Sequence, residues 1–194
     1  MSGVREAYAA RAGEYAAFID GLDLTADSTW IETWARSVRG PLLDLGCGPG
    51  HWSARLAAQG HDVRGVDPTR EFIDLARARH PEVRFDVGGV EDLAGRHRYG
   101  GILAWYSLIH LAPGQVGGAL TQMHEALPPG GSVLLGFFDG PHGAAFDHAV
   151  TTAYTWSAVT MAAELSHSGW RISRVQHRQE AHTRPHASIA AVTD

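Results

Sequence analysis

The sequence predicts an α/β fold with a seven-stranded, mostly parallel sheet, helices on both of its faces, and an antiparallel hairpin at the C-terminal end. Three observations predict it. Short apolar runs alternate with helical patterns, which is typical of a parallel sheet. A glycine-rich turn directly follows the first of these runs. The chain ends in two strand-like runs joined through Pro185.

The elements follow one another in the order that such a fold requires. Strands are predicted at Leu42–Leu45, in a run ending at Val66, and at Val83–Phe85, Gly101–Trp105, Ser132–Phe138, Trp170–Arg178 and Ser188–Val192. Helices are predicted at Tyr8–Phe18, Trp30–Val38, Trp52–Gln59, Glu71–Arg79, Val116–Ala126 and Ser157–His167. We expect one domain over residues 1–194, with N-terminal helices in 1–40 covering the site. Residues 139–155, rich in glycine, proline and histidine, are expected to form a lid-like loop over the substrate.

Composition narrows the function classes. The formal net charge is −5, which argues against a general nucleic-acid surface or an anionic-membrane surface. The single cysteine, Cys47, excludes an internal disulfide and a cysteine-based metal cluster. The histidines at positions 142 and 148 lack ligand spacing, so no metal is expected. No long apolar run or leader is present, and we expect a cytoplasmic protein, monomeric or homodimeric.

The turn after the first strand, Asp44-Leu45-Gly46-Cys47-Gly48-Pro49-Gly50, carries the strongest chemical signal. Its three glycines lack the Cβ atoms that would keep a ligand away from the backbone, and they permit positive φ. The following helix points unpaired N–H groups at the turn. These features predict a site for part of a nucleotide-like cofactor. In the dinucleotide fingerprint the sixth loop position is glycine, but here it is His51, which departs from that pattern.

Four stretches together resemble the class I S-adenosylmethionine-dependent methyltransferases, of the small-molecule, ubiquinone-biosynthesis-like type. The stretches are Leu43–Gly50, Val66–Thr69, Gly101–Trp105 and Leu127–Gly131. They stand in the order and spacing of that family, and the resemblance covers most of the chain. It implies a Rossmann-like sheet, S-adenosyl-L-methionine as cofactor with S-adenosyl-L-homocysteine as product, and in-line transfer of a methyl group to oxygen, nitrogen or carbon of a small molecule.

The resemblance also implies a cofactor site. Its residues are Tyr8, Arg11, Tyr15, Asp44, Gly46, Cys47, Gly48, Asp67, Pro68, Gly89, Val90, Glu91 and Trp105. Asp67, 21 residues after Gly46, suits a pair of ribose hydroxyls, with a helix cap or strand-end ion pair as the alternative. Glycine stands at position 89, where the family often has an adenine-binding aspartate. Glu91 is either its substitute or a solvated loop acid, and Tyr8 and Tyr15 either contact the cofactor or pack on the domain.

The residues after strand four are expected to face the methyl acceptor. His110 is the candidate general base, because imidazole changes charge near neutral pH, and the alternative is a packing role. Tyr106, His148 and Tyr154 are candidate acceptor contacts, with plain lid packing as the alternative. The Asn/Asp-Pro-Pro-Tyr stretch of enzymes acting on base amines or glutamine amides is absent.

Two other functions stay open at this point. One is a non-catalytic module that binds S-adenosylmethionine or S-adenosylhomocysteine and serves a partner. The other is a methyltransferase for a protein or RNA, which would need a basic or aromatic groove. The arginines near the C-terminus, from Arg171 to Arg184, are instead expected to form the solvated face of the terminal hairpin.

Overall fold

A computed structural model describes residues 2–93, 98–148, 150–179 and 183–194. Its main sheet has seven strands in the order β3-β2-β1-β4-β5-β9-β8, and a two-stranded sheet pairs β6 with β7. The strands are β1 (Leu42–Leu45), β2 (Val63–Asp67), β3 (Arg84–Val87), β4 (Gly101–Trp105), β5 (Ser132–Phe138), β6 (Ala145–Asp147), β7 (Thr152–Tyr154), β8 (Arg171–Arg178) and β9 (His186–Val192). The first five pair in parallel, and β9 pairs antiparallel with both β5 and β8. The seven-stranded sheet and the C-terminal hairpin predicted from the sequence are confirmed.

Seven α-helices lie within the described residues. They are α1 (Ser2–Ala10), α2 (Ala12–Asp20), α3 (Thr25–Ser37), α4 (His51–Ala58), α5 (Arg70–Arg79), α6 (Pro113–Glu125) and α7 (Ala158–His167). Alternate residues of the central strands bury different faces, as the period of two in a strand requires. Leu42 and Leu103 pack with α3 and α4, whereas Leu43 and Ile102 pack with α6 and α7. Helices therefore cover both faces, as predicted.

Parallel strands place their carboxyl ends at one edge of the sheet, and ligands of such sheets bind there. The ends of β1, β2 and β4 at this edge are Leu45, Asp67 and Trp105. The N-terminal helices α1 and α2 both pack on α5, the helix that follows β2. This packing brings the start of the chain to the same edge as the glycine-rich turn.

Several element ends differ from the predicted ends by one to three residues, and three larger differences affect the surroundings of the site. The single helix predicted at Tyr8–Phe18 is two helices that divide at Arg11. Helix α3 begins at Thr25 rather than Trp30, because the Asp23 carboxylate accepts a hydrogen bond from the Thr25 N–H at 3.0 Å. The segment predicted as a lid-like loop contains the β6–β7 hairpin, and its residue 149 lies outside the described residues.

None of the helices within the described ranges is long and apolar enough to cross a membrane.

Candidate functional site

The three glycines of the turn have different surroundings. All three have positive φ, from 53° to 87°. A Cβ atom at Gly46 would lie 2.3 Å from the Ser107 Cβ, and one at Gly50 would lie 2.7 Å from the Phe85 ring. A Cβ at Gly48 would meet nothing within 4 Å. Gly46 and Gly50 thus permit close packing within the protein, and Gly48 is the member of this trio that borders open space.

Asp67 connects the end of β2 to the glycine turn. Its buried carboxylate accepts hydrogen bonds from the Gly48 N–H at 3.0 Å and from the Thr69 N–H at 2.8 Å. Burial raises the pKa of Asp67, and these two hydrogen bonds act against that rise. Each carboxylate oxygen keeps a further lone pair, so Asp67 can hold the turn and still accept hydrogen bonds from a ligand.

Asp44 lies behind the turn. It is fully buried, and the Ser53 hydroxyl donates a hydrogen bond to its carboxylate at 2.6 Å. Burial raises the pKa of Asp44 to about 7, the Ser53 hydrogen bond lowers it, and the nearby Asp67 raises it further. The sequence prediction placed Asp44 in the cofactor site, and the structure places it next to the turn but outside the cavity wall.

A cavity of about 240 Å³ opens at the carboxyl edge of the sheet. Of the residues expected in the site, Tyr8, Tyr15, Gly46, Cys47, Gly48, Asp67, Pro68, Glu91, Trp105, Tyr106 and His110 line it. Arg11, Asp44, Gly89, Val90, His148 and Tyr154 do not belong to its wall. The structure therefore brings together most of the predicted site, from segments that are far apart in the sequence.

The cavity wall also contains residues that the sequence did not single out as ligands. They are Val4, Arg5, Pro49, His51, Trp52, Thr69, Phe72, Ser107 and Leu111. His51 had a signal, because it occupies the sixth position of the glycine loop. Arg5 had none: Arg11 was the predicted cation, but it is exposed and its guanidinium pairs with Glu14. Both arginines are exposed residues, and the spacing of apolar residues in a short helix could not show which of them borders the cavity.

Two polar atoms in the cavity wall are buried without a hydrogen-bond partner among the described residues. They are the His51 Nδ1 and the Ser107 Oγ. Burial lowers the pKa of His51 to about 4, so its ring is neutral at pH 7. Buried polar atoms in folded proteins nearly always have a partner, which can be water or a ligand. Both atoms are thus available to a polar molecule in the cavity.

Aromatic rings from the N-terminal helices cover the cavity. The Tyr8 and Tyr15 rings meet edge to face at 5.2 Å between centroids, and each lies about 5.5 Å from the Phe72 ring of α5. Burial raises the pKa of Tyr15 to about 12 and that of Tyr8 further still. Both hydroxyls are therefore protonated at neutral pH, so the Tyr8 and Tyr15 side chains cover the cavity without charge.

His110 connects this cover to the β6–β7 hairpin. Its Nε2 lies 2.7 Å from the Tyr8 hydroxyl, and its Nδ1 lies 2.7 Å from the Thr152 carbonyl oxygen. A carbonyl oxygen only accepts, so Nδ1 carries the proton and, in the neutral ring, Nε2 accepts from the Tyr8 O–H. Burial lowers the pKa of His110, which the Thr152 hydrogen bond partly offsets.

Beyond His110 lies a cluster of aromatic and imidazole rings. Tyr106, the non-glycine residue with positive φ (55°) in the described chain, places its hydroxyl 2.6 Å from the His186 Nδ1. The His148 ring lies 5.4 Å from that of His110, and its Nδ1 is buried with no partner among the described residues. Burial lowers the pKa of His148 to about 4. Tyr154 donates its backbone N–H to the Ile109 carbonyl at 2.8 Å, which docks the hairpin beside the cavity.

Comparison with known proteins identifies the domain. Residues 42–131 match the family model described as "Methyltransferase domain". Magnesium-protoporphyrin O-methyltransferase of Rhodobacter capsulatus is 36% identical over 88 residues, which are 42% of this chain and 38% of that protein. The chain spans about a third to a half of the length of the first curated relatives that it matches.

Solved structures resemble the whole chain. A TehB-like SAM-dependent methyltransferase from Corynebacterium glutamicum matches with a TM-score of 0.71 and 25% identity, covering 98% of both chains. The 1,6-didemethyltoxoflavin-N1-methyltransferase of Burkholderia thailandensis has the same fold, with a TM-score of 0.72 and 24% identity over 100% of this chain and 92% of that one. The sheet order, the glycine turn and these matches agree: residues 42–131 match a methyltransferase domain, and the chain has the fold of the S-adenosylmethionine-dependent methyltransferases.

Proposed function

We propose that this protein transfers a methyl group from S-adenosylmethionine to a small-molecule acceptor. The observation that carries the proposal is the open space at Gly48. It belongs to a cavity whose wall also contains the Asp67 carboxylate and two buried atoms without a partner among the described residues, the His51 Nδ1 and the Ser107 Oγ. A close approach to backbone, a carboxylate that can accept from hydroxyls, and uncommitted polar atoms match a ligand that carries an amino-acid tail and a ribose.

Each part of the wall suits one part of that cofactor. The turn at Gly48 accommodates the amino-acid tail close to the backbone, and Arg5, in the same cavity, supplies a cation for its carboxylate. Asp67 accepts hydrogen bonds from the ribose hydroxyls in this proposal, and Glu91, in the same cavity wall, supplies an acceptor for the adenine amino group. Tyr8, Tyr15 and Trp105 provide the aromatic enclosure.

S-adenosylmethionine supplies a methyl group on a positively charged sulfur, which becomes neutral once the group has left. The protein's residues need to bind, orient and exclude water, since positioning accounts for much of the rate of such a displacement. The buried Asp67, the neutral Tyr8 and Tyr15, and the aromatic wall fit that task. The Asp67 carboxylate in the cavity wall favours a positively charged ligand, while the apolar rings keep bulk water out.

A small acceptor is supported by the charge and by the relatives. The net charge of −5 provides no general cationic surface for RNA. The cavity approaches the lower end of the range for small-molecule sites, roughly 300 to 1,000 Å³. The aromatic rings of Trp105 and Tyr106 line the same cavity as His110. The magnesium-protoporphyrin and 1,6-didemethyltoxoflavin enzymes above act, by their names, on small ring compounds.

Titration calorimetry with S-adenosylmethionine and S-adenosylhomocysteine tests the cofactor assignment directly. We expect both to bind, in the micromolar range. S-adenosylhomocysteine release in the presence of small acceptors then tests turnover. Binding of both ligands without release in any acceptor screen would favour the non-catalytic module, and binding of neither to the folded protein would contradict the proposal.

A further inference from the structure

Tyr8, His110 and Thr152 form a continuous hydrogen-bonded chain that crosses three separate parts of the molecule. Tyr8 lies on α1, His110 follows β4, and Thr152 begins β7. Both distances, Oη to Nε2 and Nδ1 to the carbonyl oxygen, are 2.7 Å. The Tyr8 and His110 rings also meet edge to face at 5.4 Å between centroids, so packing as well as hydrogen bonding holds the pair.

The Thr152 carbonyl determines which atom donates and which accepts in each of these hydrogen bonds. The Thr152 carbonyl can only accept, which fixes the proton of neutral His110 on Nδ1 and leaves the Nε2 lone pair for the Tyr8 O–H. His110 is thus a proton acceptor whose accepting nitrogen is already covered. Tyr8 and His110 both belong to the cavity wall, and the Tyr8 hydroxyl occupies the hydrogen-bonding position of that nitrogen, so an acceptor in the cavity reaches the Tyr8 hydroxyl rather than Nε2.

We propose that Tyr8 is the catalytic residue that takes the proton from the methyl acceptor, passing its own hydroxyl proton to the Nε2 of His110. The inference rests on the function proposed above and adds to it a residue, a direction of proton transfer and a class of acceptor. The Thr152 carbonyl positions the imidazole and stabilises the charge that it gains.

The proton transfer balances without a further reactant. The O–H bond of the acceptor breaks, its electron pair stays on the acceptor oxygen, and the proton bonds to Tyr8 Oη. The original Tyr8 O–H bond breaks at the same time, and that proton bonds to the Nε2 lone pair. Tyr8 ends neutral and His110 ends as an imidazolium held by Thr152. The acceptor oxygen is left with the electron pair that bonds to the methyl carbon.

The hydrogen-bonded chain from Tyr8 to Thr152 can assist only an acceptor that is protonated before the reaction. A carboxylate is already ionised at neutral pH and needs no base, whereas a phenolic hydroxyl stays protonated up to about pH 10. Trp105 and Tyr106 line the same cavity as Tyr8 and His110. The acceptor class that fits is therefore a ring compound with a neutral hydroxyl, which packs against this aromatic wall and presents its hydroxyl to Tyr8.

Nitrogen-15 NMR of histidine-labelled protein tests the ground state without any turnover. At pH 8 we expect His110 to show a protonated Nδ1 and an unprotonated, hydrogen-bonded Nε2. In Tyr8→Phe the Nε2 resonance should move toward that of a free acceptor nitrogen, while Nδ1 stays protonated. A His110 with its proton on Nε2 in the wild type would overturn the proposal, because that nitrogen could accept nothing.

Two phenols then test the proton transfer itself. 4-Methylphenol is protonated at pH 8, and 4-nitrophenol is largely ionised there. Tyr8→Phe removes one proton-transfer group, so it should lower the turnover of 4-methylphenol by roughly 100-fold. This factor is the lower end of the usual range for general-base catalysis. Turnover of 4-nitrophenol should fall far less. Tyr99→Phe, which removes a tyrosine hydroxyl outside the cavity, is the matched control and should keep the wild-type ratio for the two phenols.

Binding of S-adenosylhomocysteine, measured in parallel, separates the possible failures. Loss of binding in the wild type would remove the proposed function together with this inference. Intact binding with transfer to neither phenol would overturn the acceptor class. Equal losses on both phenols in Tyr8→Phe would reduce Tyr8 to a positioning role, and unchanged turnover of 4-methylphenol would overturn the proton transfer while leaving the methyltransferase function in place.

Discussion

The two halves of the cavity are assembled in different ways. On the cofactor side, polar contacts join residues close in sequence: Ser53 bonds Asp44 nine residues away, and Gly48 bonds Asp67 at a separation of 19. On the acceptor side, the corresponding separations are 42 for His110–Thr152, 80 for Tyr106–His186 and 102 for Tyr8–His110. The polar contacts of the first half lie within a local β-turn-α structure, whereas those of the second form only when the whole chain has folded.

This difference has a consequence for specificity. A local turn can be retained while the rest of the chain changes, which suits a cofactor common to many proteins. Contacts between α1, the β4 exit, the hairpin and β9 can vary independently, which suits an acceptor that differs from one protein to the next. The following changes test whether the two halves are separable in this way.

Gly48→Val should have the largest effect, and only on the cofactor side. A side chain at this position enters the open space beside Asp67, so we expect S-adenosylhomocysteine to bind at least about 100-fold more weakly, close to 3 kcal/mol. The positive φ of 53° also strains the valine backbone. Titration calorimetry on the folded variant measures the loss of affinity.

Gly60→Val is the matched control for this substitution. Gly60 has a φ of 89°, and its Cβ would also meet nothing within 4 Å, but it lies outside the cavity. Both variants should lose similar stability, about 1–3 kcal/mol, from a strained non-glycine residue. If Gly60→Val weakened binding as much as Gly48→Val, backbone strain rather than ligand space would explain both results.

Asp67→Ala should affect both binding and the turn. It removes hydrogen bonds to ribose hydroxyls, so affinity for S-adenosylhomocysteine should fall by about 1–3 kcal/mol. It also leaves the buried Gly48 N–H and the Thr69 N–H without their acceptor, so the melting temperature should fall. Asp86→Ala, on the neighbouring strand β3 and outside the cavity, should leave the affinity unchanged. Wild-type affinity in Asp67→Ala would remove Asp67 from the site.

His51 and His148 lie in different halves, and the pH dependence of stability in variants of each compares the burial of the two rings. In the folded protein the pKa of each is lowered to about 4 by burial. Each buried neutral imidazole therefore contributes its full stability above pH 6.5, the pKa of histidine in the unfolded chain. This contribution is lost as the pH falls toward 4, because protons then bind the unfolded state more readily than the folded state. From pH 7 to pH 5, His51→Gln should therefore gain about 2 kcal/mol of unfolding free energy relative to wild type. His148→Gln should gain in the same direction but less, because its ring is more exposed. Urea unfolding at both pH values measures this, and a constant difference for His51→Gln would contradict the burial of its ring.

The same contrast explains what the sequence could predict. Three of the strands, Leu42–Leu45, Gly101–Trp105 and Ser132–Phe138, have the predicted bounds, because a continuous apolar run and the following turn both mark the ends of a buried strand. Gly48 was correctly identified as a position that leaves open space. The space at Gly46 proved to be occupied by Ser107, 61 positions later in the chain, and no local pattern contains that information.

On the side proposed for the acceptor, the sequence predicted two of the residues in the cavity wall but not their contacts. His110 and Tyr106 follow a recognisable strand, so the sequence points to them. Their partners on α1 and β9 depend on how distant elements pack, and hydrophobic periodicity reports only which face is buried. The same limit applies to the arginines of the N-terminal helices. Arg5 lies in the cavity wall, whereas the predicted Arg11 pairs with Glu14. The pattern of a short helix does not show which of its charged residues borders a cavity.

Tyr106→Phe should have the smallest effect, and it should be confined to the acceptor side. Phenylalanine keeps the ring and the same positive φ, so the substitution removes only the hydroxyl that lies 2.6 Å from the His186 Nδ1. We expect a loss of about 1 kcal/mol in unfolding free energy, the usual net value of one hydrogen bond. In a double-mutant cycle with His186→Leu, the two changes should couple by a similar amount. S-adenosylhomocysteine affinity should stay at the wild-type value. A loss of affinity comparable to that of Asp67→Ala would mean that the β9 contacts also shape the cofactor side, and the two halves would then be one cooperative unit rather than separable parts.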